Sequence, residues 1–240
     1  MLRKFIALVI GLVFSTGAFS PAAAEMGPCK PANFDLLCGS GDGAAHAVVK
    51  TISPSKRLAF AWRLANQPPI NVPGEHNPEL ENFVVRIGDG AVLAKSGGSY
   101  WDLSTKIAKA YLMTAWSPDS HLLVKVEQRA DFALAETFYF SDDDTATGPF
   151  DLGGVILPAL RAAMKGTKGA NNSVLVFAAH PAMAIDNQGL LHAAVFARGD
   201  DADGPTYDAT VQIAHVASII DAHVVALTIR EAPTISVIVH

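Results

Sequence analysis

From His46 onward the apolar residues fall in short runs of strand length, separated by turns rich in Ser, Pro, Asp and Gly. "HAVVKTI" and "RLAFAWRL" lie on either side of Ser53-Pro54-Ser55. "NFVVRIGDGAVLAKS" sets two apolar runs around Gly88-Asp89-Gly90, where Asp-Gly supplies the positive φ angles of a primed hairpin turn. "KAYLMTAW" leads into Ser117-Pro118-Asp119-Ser120, and "HLLVKVEQ" and "ALAETFYF" follow. "SDDDTATGP" (Ser141 to Pro149) reads as a loop. "LPALRAAMK" (Leu157 to Lys165) is the stretch of helical composition, with Pro158 in a first turn where its missing N–H costs nothing, and "GTKGANNS" stops it. Strands resume with "VLVFAAH", "LLHAAVFA", "YDATVQIAHV", "HVVALTI" and "TISVIV". In "IAHVASIIDAH" the residues Ile213, Val216, Ile219 and Ile220 fall at helical spacing, but the dominance of Val and Ile favours strand. The pattern predicts a mainly β fold of antiparallel sheets, as a β-sandwich or a partial propeller-like array, with one short central helix.

Two segments share a form: "SPSKRLAFAW" at Ser53 and "SPDSHLLVKV" at Ser117 align turn on turn and strand on strand. "DNQGLLHAAVF" at Asp186 has the same shape, a polar turn before an apolar strand. A Ser-Pro-Asp turn is favourable by itself, because Pro pre-sets the φ its position needs. Recurrence along the chain points to a repeated supersecondary unit. The segments "SPSKRLAF" and "WSPDSHLLV" resemble the blades of exported TolB-like or WD40-like β-propellers, and that resemblance implies packed antiparallel meanders. If Pro54 and Pro118 sit in equivalent turns, Leu58, Phe60 and Trp62 correspond to Leu122, Val124 and Val126, each set on one strand face and both facing a common core.

The N-terminus adds a destination. Arg3 and Lys4 precede the apolar run Phe5 to Phe14, and "STGAFSPAAA" ends in small residues suited to signal-peptidase cleavage after Ala24. The run falls well short of the roughly 20 residues a transmembrane helix requires. Pro28 before Cys29 is unlike a lipidation site, which has small residues before its cysteine. The organisation predicted is a signal peptide over 1–24, a disulfide-closed segment over 25–44, and one β-rich domain over 45–240 in which the loop and helix of 141–172 join two halves. Export makes a disulfide the simplest reading of Cys29 and Cys38, the two cysteines of the chain; a redox or metal pair prefers two intervening residues.

Composition narrows the chemistry. Half of the residues are hydrophobic and 17% charged, the profile of a globular chain. The formal charge is −5, with no cluster of Lys and Arg to bind nucleic acid or anionic lipid. No G-x-S-x-G serine motif and no phosphate-binding loop is present. The eight histidines lack metal-ligand spacing, although His192, His215 and His223 converge if their strands pair. "GDDADG" (Gly199 to Gly204) puts Asp201, Asp203 and Gly204 in phase with a calcium loop but has Thr210 where a bidentate Glu is required. Glu127, Asp131 and Glu136 are close enough in sequence to supply a carboxylate pair, and on adjoining strands such residues form a solvated face. "SYWDL" is the distinctive recognition candidate: strand alternation exposes Tyr100 or Trp101 beside Asp102. The expectation is an exported, non-catalytic binding or interaction protein of the periplasm or cell envelope. Its partner would be a protein or envelope component; no cofactor, metal or nucleic acid is implied. The alternative is an envelope-polymer hydrolase using Asp and Glu.

Overall fold

The computed structural model describes residues 26–32, 35–64, 80–100, 111–129, 132–167, 174–199 and 203–230. They form three antiparallel sheets and one α-helix. The first sheet runs in order β1 (Cys29–Ala32), β2 (Asp35–Cys38), β3 (Ala45–Ala47), β4 (Leu58–Leu64), β5 (Leu80–Arg86) and β6 (Val92–Ser96). The second contains β7 (Tyr111–Trp116), β8 (Leu122–Gln128), β9 (Ala133–Phe140) and β10 (Ala146–Asp151). Helix α1 (Gly153–Ala163) follows. The third sheet contains β11 (Val174–Phe177), β12 (Ala184–Ile185), β13 (Leu190–Arg198), β14 (Tyr207–Val216) and β15 (Ile219–Ile229). No described helix is long and apolar enough to cross a membrane.

The mainly β prediction holds, and so does the disulfide: Cys29 and Cys38 face each other across the β1–β2 hairpin and are bonded. Three local expectations are corrected. Asp89 is absent from the positive-φ residues and Gly90 (φ 73°) is among them, so the β5–β6 loop is not a primed turn; the Gly90 N–H donates to the Arg86 carbonyl. Segment 146–149, read as loop, belongs to β10. The helix begins at Gly153, not Leu157, which puts Pro158 in its interior. The Asp151 carboxylate accepts from the Gly154 N–H and starts the helix upstream of the alanine-rich stretch. Its buried residues Ile156 and Leu160, with the capping residues Leu152 and Met164, recur every four positions and close one side of the largest core. The ambiguous "IAHVASIIDAH" is a hairpin whose two-residue turn puts Ala217 and Ser218 at positive φ, with no Gly or Asn to announce it.

The proline turns make the same bonds. The Ser53 N–H donates to the Leu58 carbonyl and the Leu58 N–H to the Ser53 hydroxyl; Ser117 and Leu122 do likewise. Lys56 and Ser120, third after each serine, both take positive φ (60° and 69°). Ser141 and Asp186 begin related turns one residue shorter, with Asp144 and Gly189 at positive φ. Beyond the turns, Leu58, Phe60 and Trp62 are buried, as are Leu122, Val124 and Val126. They do not share one core. Leu58 packs with Leu123 and Phe138 of the second sheet, whereas Leu122, Val124 and Val126 pack with the third sheet and α1. Alternation explains this: residues at even spacing leave a strand on one side, so each sheet presents one face to each neighbour.

Candidate functional site

Strand β8 joins the two interfaces because its faces differ in chemistry. Leu122, Val124 and Val126 face the third sheet; Leu123, Lys125 and Glu127 face the first. Lys125 and Glu127 are fully buried and Glu136 is 5% exposed, which corrects the expectation that these carboxylates form a solvated face. Charge inside a protein requires partners, and all three have them. The Lys125 ammonium lies 3.4 Å from Glu136 and 3.6 Å from Glu127, donates to the Gly97 carbonyl at 3.0 Å, and sits over the Phe60 ring. Glu136 accepts from the Ser96 hydroxyl at 2.7 Å and the Gly97 N–H at 3.0 Å. Glu127 accepts from the Ser99 N–H and from Arg129, whose guanidinium also donates to the Ser99 carbonyl and hydroxyl. Gly98 takes a positive φ (87°), and a Cβ there would collide with the Glu127 carboxylate. The two carboxylates thus hold a loop of the first sheet onto the second. Asp131, the third member of the sequence-predicted group, lies outside the described residues.

Of the recognition candidates, Tyr100 alone lies among the described residues. Tyr100 is buried, edge-on to Phe60, and its backbone is clamped at N–H and C=O by the Asn82 amide. Trp101 and Asp102 lie outside the described residues. Trp62 stacks on His46 at 4.4 Å, and burial pushes the His46 imidazole below its ordinary value against the opposing pull of Asp35. His215 stacks on Tyr139 of the second sheet, on the opposite face of β14 from the neighbours of His192 and His223, so these three histidines do not converge. Among the described residues no group of three metal-ligating side chains forms. Asp203, from the calcium-like stretch, pairs with Arg198 at 3.4 Å; Asp201 lies outside the described residues.

Sequence reading missed the cleft between the second and third sheets. Its volume is about 550 Å³, and its walls include Leu112, Met113, Val176, Phe177 and Phe196. Gln128 bridges the two sheets from the cleft lining: its amide oxygen accepts from the Phe177 N–H, and its amide nitrogen donates to the carbonyls of Arg129 and Phe132. Arg129, from the buried network, and Arg198, at the end of β13, are also lining residues. Each stacks near an aromatic ring, Arg129 at 5.2 Å from Phe132 and Arg198 at 5.7 Å from Phe196. Tyr111, at 77% exposure, stands in the lining as well. In sequence these residues belong to four strands and the segments after them, and only the pairing of sheets puts them together. An apolar volume of this size with a few fixed polar groups suits a small ligand. No family model, characterised protein or solved structure matches the chain.

Proposed function

We propose that this is an exported, non-catalytic binding protein of the periplasm or cell envelope whose ligand occupies the cleft between the second and third sheets. The observation that carries this reading is the cleft itself: an apolar volume of about 550 Å³ bordered by Gln128, Arg129 and Arg198. Export rests on the basic, apolar and small-residue order of 1–24. The three antiparallel sheets, of six, four and five strands, each have a serine- or aspartate-initiated turn leading into a long strand (β4, β8 and β13), and they are read as copies of one blade-like unit. The hydrolase alternative needs a carboxylate pair open to substrate. Glu127 and Glu136 are instead committed to Lys125, Arg129 and backbone donors, which supports binding over hydrolysis.

Native mass spectrometry on protein purified from the exporting cell tests this reading. The expected result is a chain beginning at Glu25 that carries a dissociable small molecule, lost when the exposed cleft residue Ala179 is replaced by Trp. A chain still beginning at Met1, or a bound molecule retained by A179W, would refute it.

A further inference from the structure

We infer that Lys125 and Glu136 are the two halves of an intramolecular amide cross-link, with Glu127 relaying a proton as the bond forms. This site is independent of the cleft. Lys125 and Glu136 are direct cross-strand partners on β8 and β9, and Glu127 follows Lys125 by two residues, on the same strand face. All three side chains are buried, and the Lys125 Nζ lies 3.4 Å from Glu136 Oε2 and 3.6 Å from Glu127 Oε2. The Phe60 ring, 5.5 Å from Nζ, adds an apolar wall. Holding an amine and a carboxyl in one place replaces a bimolecular encounter by an intramolecular one, which removes much of the entropic barrier to their reaction.

The surroundings supply each part of a condensation. Away from water an ammonium–carboxylate pair loses the hydration that keeps it ionised, which brings its neutral amine–acid form within reach. One proton passes from Nζ to Glu136 Oε2, and the amine lone pair attacks the Glu136 carboxyl carbon. The Gly97 carbonyl, 3.0 Å from Nζ, orients the nitrogen, and the Gly97 N–H, 3.0 Å from Oε1, stabilises the negative charge that develops there. Glu127 takes a second proton from the nitrogen and returns it to the departing oxygen. The Nζ–Cδ bond forms, the Cδ–Oε2 bond breaks, and Oε2 leaves as water with two of the three ammonium protons. The third stays on the amide nitrogen, Glu127 ends as it began, and no oxidant or reductant is consumed. The ion pair is then the reactant state, and its conversion to a neutral amide removes the cost of keeping two charges from water.

Peptide mapping of the purified protein, unfolded and reduced before digestion with trypsin, tests this. Cleavage after Lys125 should be blocked, and tandem mass spectrometry should find 110–129 joined to 130–161 in a branched peptide lighter than its two parts by one water. Glu127→Gln leaves both partners of the bond in place and should slow the appearance of that peptide after synthesis about 100-fold. Far-ultraviolet circular dichroism of the variant reports that it is folded. Ready cleavage after Lys125 in the wild-type protein, giving linear 110–125 and 126–129, would overturn the cross-link, as would a branch between any other pair of residues. A branched peptide that forms as fast in E127Q would overturn the relay while the bond itself stands.

Discussion

The interface between the first and second sheets and that between the second and third are built from opposite faces of the same strand, β8, and they hold by different physics. Toward the third sheet the buried side chains are hydrophobic and are closed by the Leu152, Ile156, Leu160 and Met164 stripe of α1. Toward the first sheet, Leu123 and Phe138 share the interface with Lys125, Glu127 and Glu136. The apolar interface is stabilised in rough proportion to the area removed from water and has no required pairing. The mixed interface gives up hydration of three charges and recovers it only in one arrangement, with the 96–99 backbone, Lys125 and Arg129 all in place. On these physical grounds the mixed interface should fix register, while the apolar one should tolerate changes of pairing. The cleft lies at the edge of the apolar interface, where Arg129 from the mixed one enters its lining.

The sharpest way to break this comparison is Glu127→Ala. It removes the acceptor of the Ser99 N–H, the carboxylate partner of Arg129 and one of the two carboxylates beside Lys125, and should destabilise by about 3–5 kcal/mol in urea unfolding. Glu127→Gln keeps an acceptor oxygen and should cost less. A loss under 1 kcal/mol for E127A would mean that the buried charges are incidental. On the apolar side, Leu160→Ala should cost about 3 kcal/mol by loss of burial and creation of a cavity, with register intact. Hydrogen exchange should separate the two. E127A should lower protection in β6 and β8 selectively, and L160A should lower it in α1 and β13; the reverse pattern would merge the interfaces into one cooperative unit.

Smaller effects sharpen the view of the turns that lead into each interface. Ser117→Ala removes the hydroxyl that accepts from the Leu122 N–H at 2.8 Å, and Ser53→Ala does the same for Leu58 at 3.1 Å. Each should cost about 1 kcal/mol, and a large disparity between them in thermal melting would show that the two turns are energetically unlike. The smallest effect expected is a pH dependence. Backbone N–H bonds from Leu190, and then Gln188, hold the Asp186 carboxyl below its ordinary value. Its contribution is thus present above the unfolded value of about 3.9 and fades as pH falls through the folded one. Asp186→Asn should flatten that acid limb slightly in melting curves taken between pH 2 and 5, and the change is small because the group is exposed to solvent. An unchanged acid limb in the variant would assign the dependence to other carboxylates.

The sequence by itself determined the elements and their turns. Apolar runs of strand length, the Ser-Pro turns, Gly90 and the Cys29–Cys38 pair are local, and each acts through φ preference, side-chain capping or alternation over a few residues. Even so, locality misled at α1, where an aspartate upstream outweighed alanine content, and at Ala217-Ser218, where a turn formed without its usual residues. Which face of a strand met which sheet was decided by tertiary structure, because alternation specifies two faces but not their neighbours. Glu127 and Glu136 looked like solvated carboxylates, since only the arrival of the 96–99 backbone and Arg129 makes their burial tolerable. Alternation separates Tyr100 from Trp101 without saying which is buried, and Phe60 and Asn82, some 40 and 18 residues earlier, enclose Tyr100. The cleft existed nowhere in the sequence: Met113, Gln128, Val176 and Arg198 become neighbours only when two sheets pack and leave a volume between them that their own side chains do not fill.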